Sequence, residues 1–231
     1  MNPPLTTGQL AELEKLGTCA VANAIETFGV RLRNEGFTDA GIRCLVPGSK
    51  PLVGYAMTAR IKCSNPPKDG HAYADRTDWW NCVLSVPAPR IVVIQDVDEE
   101  PGTGSLIGEI HAAILMALGC SGMVTNGAVR DLPSLEKSGF HVFAGSVAVS
   151  HAYAHIIDFC QPVEVGGLTV KPGDLLHADM HGVLSVPGQI AAQIPAAAAK
   201  IAGRESRVLA LCRAGNLSLD ELRAAVKDVN H

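Results

Sequence analysis

The sequence has no clustered run of Lys or Arg: its 19 basic residues are scattered and outnumbered by 23 Asp and Glu, for a net charge of −4 and a pI near 6.0. A nucleic-acid backbone recruits a basic patch, so that footprint is missing. No C-x-x-C pair occurs among the seven cysteines (19, 44, 63, 82, 120, 160 and 212), which are odd in number and far apart. A disulfide framework and a structural zinc site are therefore not expected, and the cysteines read as buried thiols in a reducing cytoplasm. The start, MNPPLTTGQLAELEKLG, lacks a basic stretch followed by an apolar run, so no signal peptide is expected. The most apolar window, IHAAILMALGCSGMV, is too short and too broken by glycine to span a bilayer. Nucleophilic hydrolysis and Walker-type nucleotide binding also lack their signatures: there is no G-x-S-x-G, no glycine-bracketed cysteine and no Walker A motif. No internal repeat or low-complexity segment is visible. What is present, 47% hydrophobic and 18% charged residues over 231 positions, suits one globular domain spanning 1–231.

Periodicity predicts helices after Thr7 (Leu10, Leu13, Leu16) and from Thr18 (Val21, Ala24, Ile25, Phe28), the second stopped by Gly29. Residues 36–49 read as an irregular connection, LVGYAMTARIKC as a strand, and SNPPKDGHAYAD as a loop. RIVVIQDV (90–97) is a continuous apolar run, as in a strand covered on both faces. A helix over 106–118 ended by Gly119 and a strand over 122–127 then make a strand–helix–strand unit. From 141 to 187 short strands alternate with Gly-Gly, Pro-Gly and His-Gly turns, and the tail returns to helix, with Pro195 near one start and SLDE capping a last helix over 218–228.

Three constellations could carry chemistry. GTGSLIGEIHA (102–112) joins a glycine-rich loop to a helix start, where free amides and the helix dipole hold a carboxylate or phosphate; the plainer reading is a loop that caps a helix, with Glu109 satisfying the dipole. Its G-x-G-x-x-x-G spacing departs from the dinucleotide fingerprint. Arg130 and Asp131 follow strand 122–127, so they lie at its C-terminal end, where open α/β sheets bind ligands. There a guanidinium can fork onto a carboxylate and an aspartate can hold a hard divalent ion; alternatively the two form a structural ion pair, or Asp131 only caps LPSLEKSG. In 162–187, His177 and Asp179 share one face of a strand, near His181, as a metal pair or as turn-bonding side chains; HAYAH places His151 and His155 at helical i, i+4 spacing, as zinc ligands would be.

Taken in order, G-x5-G-E (102–109), GCSGMVTNGAVRD, a Phe before a strand, and PVEVGGLTVKPGDLLHADMHGVLSVP resemble the RraA-like family, from about Thr18 to Gly215. That family includes metal-dependent 4-hydroxy-4-methyl-2-oxoglutarate (HMG) aldolases and proteins named regulators of ribonuclease E activity. The resemblance implies an α/β fold of the swivelling β/β/α type, homotrimers or homohexamers with sites between subunits, a small 2-oxo acid substrate, and a Mg²⁺ or Mn²⁺ ion. It places Arg130 on the substrate carboxylate, Asp131 on the metal, Glu109 near the metal's waters, and Gly108, Glu109, Ile110 and His111 at the carboxylate-binding helix start. Glu205, in GRESRV, matches an acidic residue given to the neighbouring site. Ser105 and Asn23 stand where alanine and aspartate are frequent in the family, which bears on substrate choice. The expected activity is retro-aldol cleavage of HMG-like acids to pyruvate, oxaloacetate decarboxylation, or both. The alternatives are a lyase for another sugar-acid-derived 2-oxo acid, or a non-catalytic regulator that binds ribonuclease E. Regulators can lack the aspartate after the arginine, and this chain has it.

Overall fold

The computed structural model describes residues 4–68, 77–215 and 218–229. The chain runs α1 (Thr7–Leu13), α2 (Thr18–Glu26), β1 (Arg43–Val46), β2 (Leu52–Lys62), α3 (Trp79–Ser85), β3 (Arg90–Asp96), α4 (Glu109–Ala117), β4 (Cys120–Val129), α5 (Leu132–Ser138), β5 (His141–Val147), β6 (His155–Phe159), β7 (Val163–Val165), β8 (Leu168–Val170), β9 (Leu175–Asp179), β10 (Gly182–Val186), α6 (Ile194–Arg213) and α7 (Leu219–Val229). Eight strands form one mixed sheet in the order β1-β5-β4-β3-β2-β9-β10, with β6 also paired to β2. β2, β3, β4 and β5 are parallel to their neighbours within that set. Helices of the N- and C-terminal parts flank the sheet, so the architecture is an α/β fold with a central mixed sheet.

The unbroken apolar runs follow from burial on both faces. Val92 and Ile94 of β3 join Met57, Met123 and Val142 in the core under the helices, while Ile91 and Val93 join Val124 and Phe143 on the other side. The β7–β8 hairpin covers that second side with Val163, Val165, Leu168 and Val170. Period-two alternation thus feeds two cores at once, and in β3 the middle of the strand, Ile91 to Ile94, is apolar throughout.

Several boundaries differ from expectation. The first helix is capped by Thr6 in a reciprocal bond pair with Gln9. α4 begins at Glu109 because Ile107 pairs as a short parallel bridge with Val129 at the end of β4. The connection 36–49 contains β1, and HAYAH is a turn running into β6, so His151 and His155 share no helical face. The loop expected over 64–75 falls partly outside the described residues. The cysteines also depart from a set of buried thiols. Cys82 of α3 and Cys160, just past β6, form a disulfide with Cα atoms 6.2 Å apart, within ordinary bridging reach, while Cys19 and Cys212 are exposed.

Candidate functional site

Parallel strands joined by helices end on the same edge, and the C-terminal edge of β2, β3 and β4 gathers most of the reactive side chains. Arg130 and Asp131 come directly after β4. The Arg130 amide donates to the Ile107 carbonyl at 3.2 Å, which brings the segment ahead of α4 alongside the end of β4. Asp131 then adopts φ 58°, ψ 33°, a left-handed conformation that costs a non-glycine residue about 1–2 kcal/mol. It occupies the N-cap position of α5, yet its side chain makes no capping bond there. Instead Oδ2 accepts the Glu109 amide of α4 at 3.1 Å and Oδ1 faces Arg130 Nε at 3.3 Å. A cap alone would give neither contact, so the strained backbone turns the carboxylate away from its own helix and toward the start of α4.

Gly108 makes that approach sterically feasible: a Cβ there would lie 2.4 Å from Asp131 Oδ2. The Glu109 amide, followed by Arg130, lowers the Asp131 pKa, so the carboxylate is ionised at neutral pH. Glu109 and Ile110 are exposed in the first turn of α4. The first-turn amides of a helix have no carbonyl of their own to bond, and with the dipole they favour an anion. The predicted Arg130, Asp131, Gly108, Glu109, Ile110 and His111 thus come together, but the His111 imidazole turns inward. It is buried, its Nδ1–H donates to the Leu106 carbonyl at 2.7 Å, and burial pulls its pKa down.

The structure adds His151, whose Nδ1–H donates to the Ser105 carbonyl at 2.7 Å and whose charge, when present, would stabilise the Asp131 carboxylate. His155 bonds the Tyr153 carbonyl instead. It also adds a group no spacing rule could find: the ligand atoms of Cys63, Asp96 and Asp98 lie within 4.8 Å of one another, a candidate metal-ligand cluster. These residues follow or end β2 and β3. Asp98 Oδ2 accepts the Cys63 and Ser64 amides at 2.6 and 2.8 Å, and Asp96 accepts those of Asp98 and Gly102 at 3.1 and 2.8 Å. Burial and the two carboxylates push the Cys63 thiol up to about 12, so without an ion it is protonated at neutral pH. For a hard ion, Asp131 is the better-prepared donor.

His177, Asp179 and His181 lie elsewhere. β9 pairs with the first residues of β2, which places them at the opposite edge. His177, fully buried, donates its Nε2–H to the Leu13 carbonyl at 3.1 Å and meets Thr18 Oγ1 with Nδ1 at 2.9 Å; Asp179 Oδ2 accepts the Thr18 amide at 2.8 Å. They dock α1 and α2 onto the sheet. A cavity of about 480 Å³ lined by Tyr55, Pro87, Pro172 and Pro187 contains none of the residues described at the C-terminal edge. Glu205 lies on α6 in a surface groove with Val208, Leu209 and Val226 of α7.

Comparison with known proteins gives these features a setting. A family model described as RraA-like, Aldolase/RraA, matches residues 18–185. The chain is 26% identical over 180 residues to protein DlpA of Legionella pneumophila, covering 77% of this chain and 27% of that protein. It is 30% identical over 126 residues to a Halalkalibacterium halodurans protein named "Putative 4-hydroxy-4-methyl-2-oxoglutarate aldolase", covering 54% of this chain and 60% of that one. The match therefore spans less than two thirds of either relative's length. Among solved structures, a Pseudomonas syringae pv. tomato protein superposes with a TM-score of 0.73 at 24% identity, covering 97% of this chain and 96% of that one. RraAS2 of Streptomyces coelicolor, titled an unusual member of the RNase ES inhibitor RraA protein family, gives 0.68 at 21%, covering 88% and 96%. Both likenesses concern the fold.

Proposed function

Since the chain belongs to the RraA-like, Aldolase/RraA family, we propose that it is a divalent-metal-dependent lyase acting on small 2-oxo acids. Its reaction is retro-aldol cleavage of HMG-like substrates to pyruvate, decarboxylation of oxaloacetate, or both, through the enolate of pyruvate. The observation that carries this reading is the left-handed Asp131, turned off its own helix to face Arg130 and the Glu109 amide across the gap left by Gly108.

The residues present fit Mg²⁺ or Mn²⁺. Asp131 offers an ionised, hard oxygen donor at the protein surface, and a single carboxylate suits an ion that keeps most of its waters. When bound, the ion would supply Lewis-acid stabilisation of the charge that develops on the substrate's C2 oxygen. Arg130 would hold the C1 carboxylate through its Nη edge, since its Nε–H faces Asp131. The first turn of α4 adds its dipole to the same carboxylate. With C1 and C2 fixed, the C3–C4 bond breaks, and C4 departs as the carbonyl of a second keto acid or as CO₂. Glu109, exposed beside Asp131, is positioned to pass protons by way of an ordered water, taking one from the C4 hydroxyl in the aldol case and returning one to C3. No lysine occurs in 102–112 or 122–131, the segments that carry Gly108, Glu109, Arg130 and Asp131, so a Schiff base has no donor within them.

Assembly as a homotrimer or homohexamer belongs to the same proposal. Leu209, Leu219 and Val226 on α6 and α7 are 50%, 68% and 41% exposed, an apolar surface that a second copy could cover while bringing Glu205 to a neighbouring site. Asp131→Asn tests the reading. It retains shape and tolerates the left-handed backbone but removes the charge, so oxaloacetate turnover should fall to background while the fold persists. If the protein were instead a regulator that binds ribonuclease E, capture of that enzyme would be the surviving activity, unchanged in the same variant.

A further inference from the structure

Two features outside the proposed site meet on one helix. Cys82, in the middle of α3, is bonded to Cys160, 78 residues later and immediately past β6. The same helix carries both tryptophans of the chain, Trp79 and Trp80. Trp79 is 1% exposed, and its ring stands edge-on to the His111 imidazole, with centroids 6.3 Å apart and planes at 83°. His111 lies in the first turn of α4, and its Nδ1–H holds the Leu106 carbonyl on the segment that leads into that turn. Glu109, two residues earlier, gives its amide to Asp131. A continuous path of contacts and one short helical turn therefore connects the disulfide to the Asp131 carboxylate.

α3 has only seven residues, too few to persist as a helix without tertiary ties. Those ties are the buried Trp79, Cys82 and Val83, and the covalent one is the only tie that a change of redox conditions can remove. Cys82 is buried, whereas Cys160 is half-buried at a left-handed φ of 57°.

We infer that the Cys82–Cys160 bond is a redox-sensitive clamp on the substrate-binding end of the site. Closed, it fixes α3 and, through Trp79 and His111, the first turn of α4. Open, it lets that turn loosen. The opening step is thiol–disulfide exchange with a dithiol reductant. One reductant thiolate attacks Sγ of Cys160, the S–S bond breaks, and Cys82 leaves as a thiolate that takes up a proton. The second reductant thiol then displaces Cys160 as a thiol, and the reductant is left as its own disulfide. Two electrons and two protons pass to the protein.

The effect on substrate rests on the reading of the site proposed above; the clamp itself does not. The test uses the full chain, purified in air, with and without dithiothreitol. Alkylation under denaturing conditions before reduction should modify Cys19, Cys44, Cys63, Cys120 and Cys212 and spare Cys82 and Cys160. Reduction of the folded protein should shift tryptophan emission to longer wavelength and raise KM for oxaloacetate about fivefold, with a smaller change in kcat. The Cys82→Ser/Cys160→Ser double variant should behave as reduced protein and ignore the dithiol; reduced wild-type protein supplies the same comparison if that variant fails to fold. Alkylation of all seven cysteines before reduction, or identical emission in the two redox states, overturns the clamp. An emission shift in a protein that turns over no 2-oxo acid in either state supports the clamp and overturns the site reading.

Discussion

Replacing Gly108 by alanine isolates the contact on which the proposed site depends. The backbone there, at φ −133° and ψ −160°, is open to any residue, so alanine adds no backbone strain. It adds a methyl carbon 2.4 Å from Oδ2 of Asp131, 3.3 Å from its Cγ and 3.1 Å from Cγ of Arg130. Carbon and oxygen settle at about 3.3 Å or more, so the carboxylate has to retreat by about 1 Å. That retreat takes the Glu109 amide contact, 3.1 Å at the outset, beyond hydrogen-bonding range. Misplacing a reacting group by about 1 Å costs about 10²-fold in rate, or about 2.7 kcal/mol of transition-state stabilisation. Loss of an N-cap glycine should cost stability only about 1 kcal/mol. The assay is pyruvate release from oxaloacetate over a magnesium titration, paired with thermal unfolding. The expected result is kcat/KM down about 100-fold, a higher magnesium requirement and a folded protein. A folded Gly108→Ala protein with unaltered kcat/KM and magnesium dependence would refute the reasoning.

Other outcomes follow from neighbouring groups. Arg130→Lys keeps the charge but loses the planar fork, so KM should rise and kcat fall, together lowering kcat/KM by about tenfold or more; unchanged steady-state constants would remove Arg130 from the carboxylate. Burial lowers the pKa values of His111, His141 and His177 below their ordinary 6.5. The folded state then binds fewer protons than the unfolded one between the lowered and ordinary values, so stability should fall as pH drops below about 6.5. Thermal unfolding at about pH 7.5 and about pH 5.5 measures this, and the dependence should weaken in His177→Asn. Asp96, pushed upward by burial, acts in the opposite sense above its ordinary 3.8, so a pH-independent midpoint would mean that the histidines do not control the slope.

The β3–α4–β4 unit was legible because RIVVIQDV, buried on both faces, reads as one apolar run and is followed by a helical pattern and a second strand. The position of Arg130 and Asp131 at a strand end followed from the same pattern. What sequence could not supply was direction. Nothing in GAVRD states that Asp131 adopts a left-handed backbone and turns from α5 to α4; that depends on Ile107 pairing with Val129 and on the space at Gly108. α4 starts three residues later than the periodicity predicts, because Leu106 and Ile107 are apolar for the sake of that pairing and of core burial, not of helix periodicity. Spacing misled at HAYAH, where two histidines at a helical interval belong to a turn and a strand. The Cys82–Cys160 pair and the Cys63, Asp96, Asp98 group were invisible for a common reason: each is assembled from segments far apart in the chain.

The most direct test is pyruvate release from oxaloacetate and from HMG by protein stripped with EDTA and then resupplied with magnesium or manganese. The account predicts no turnover after stripping and recovery on adding either ion, both abolished in Asp131→Asn. Turnover that is indifferent to EDTA, or none with any ion, would contradict it.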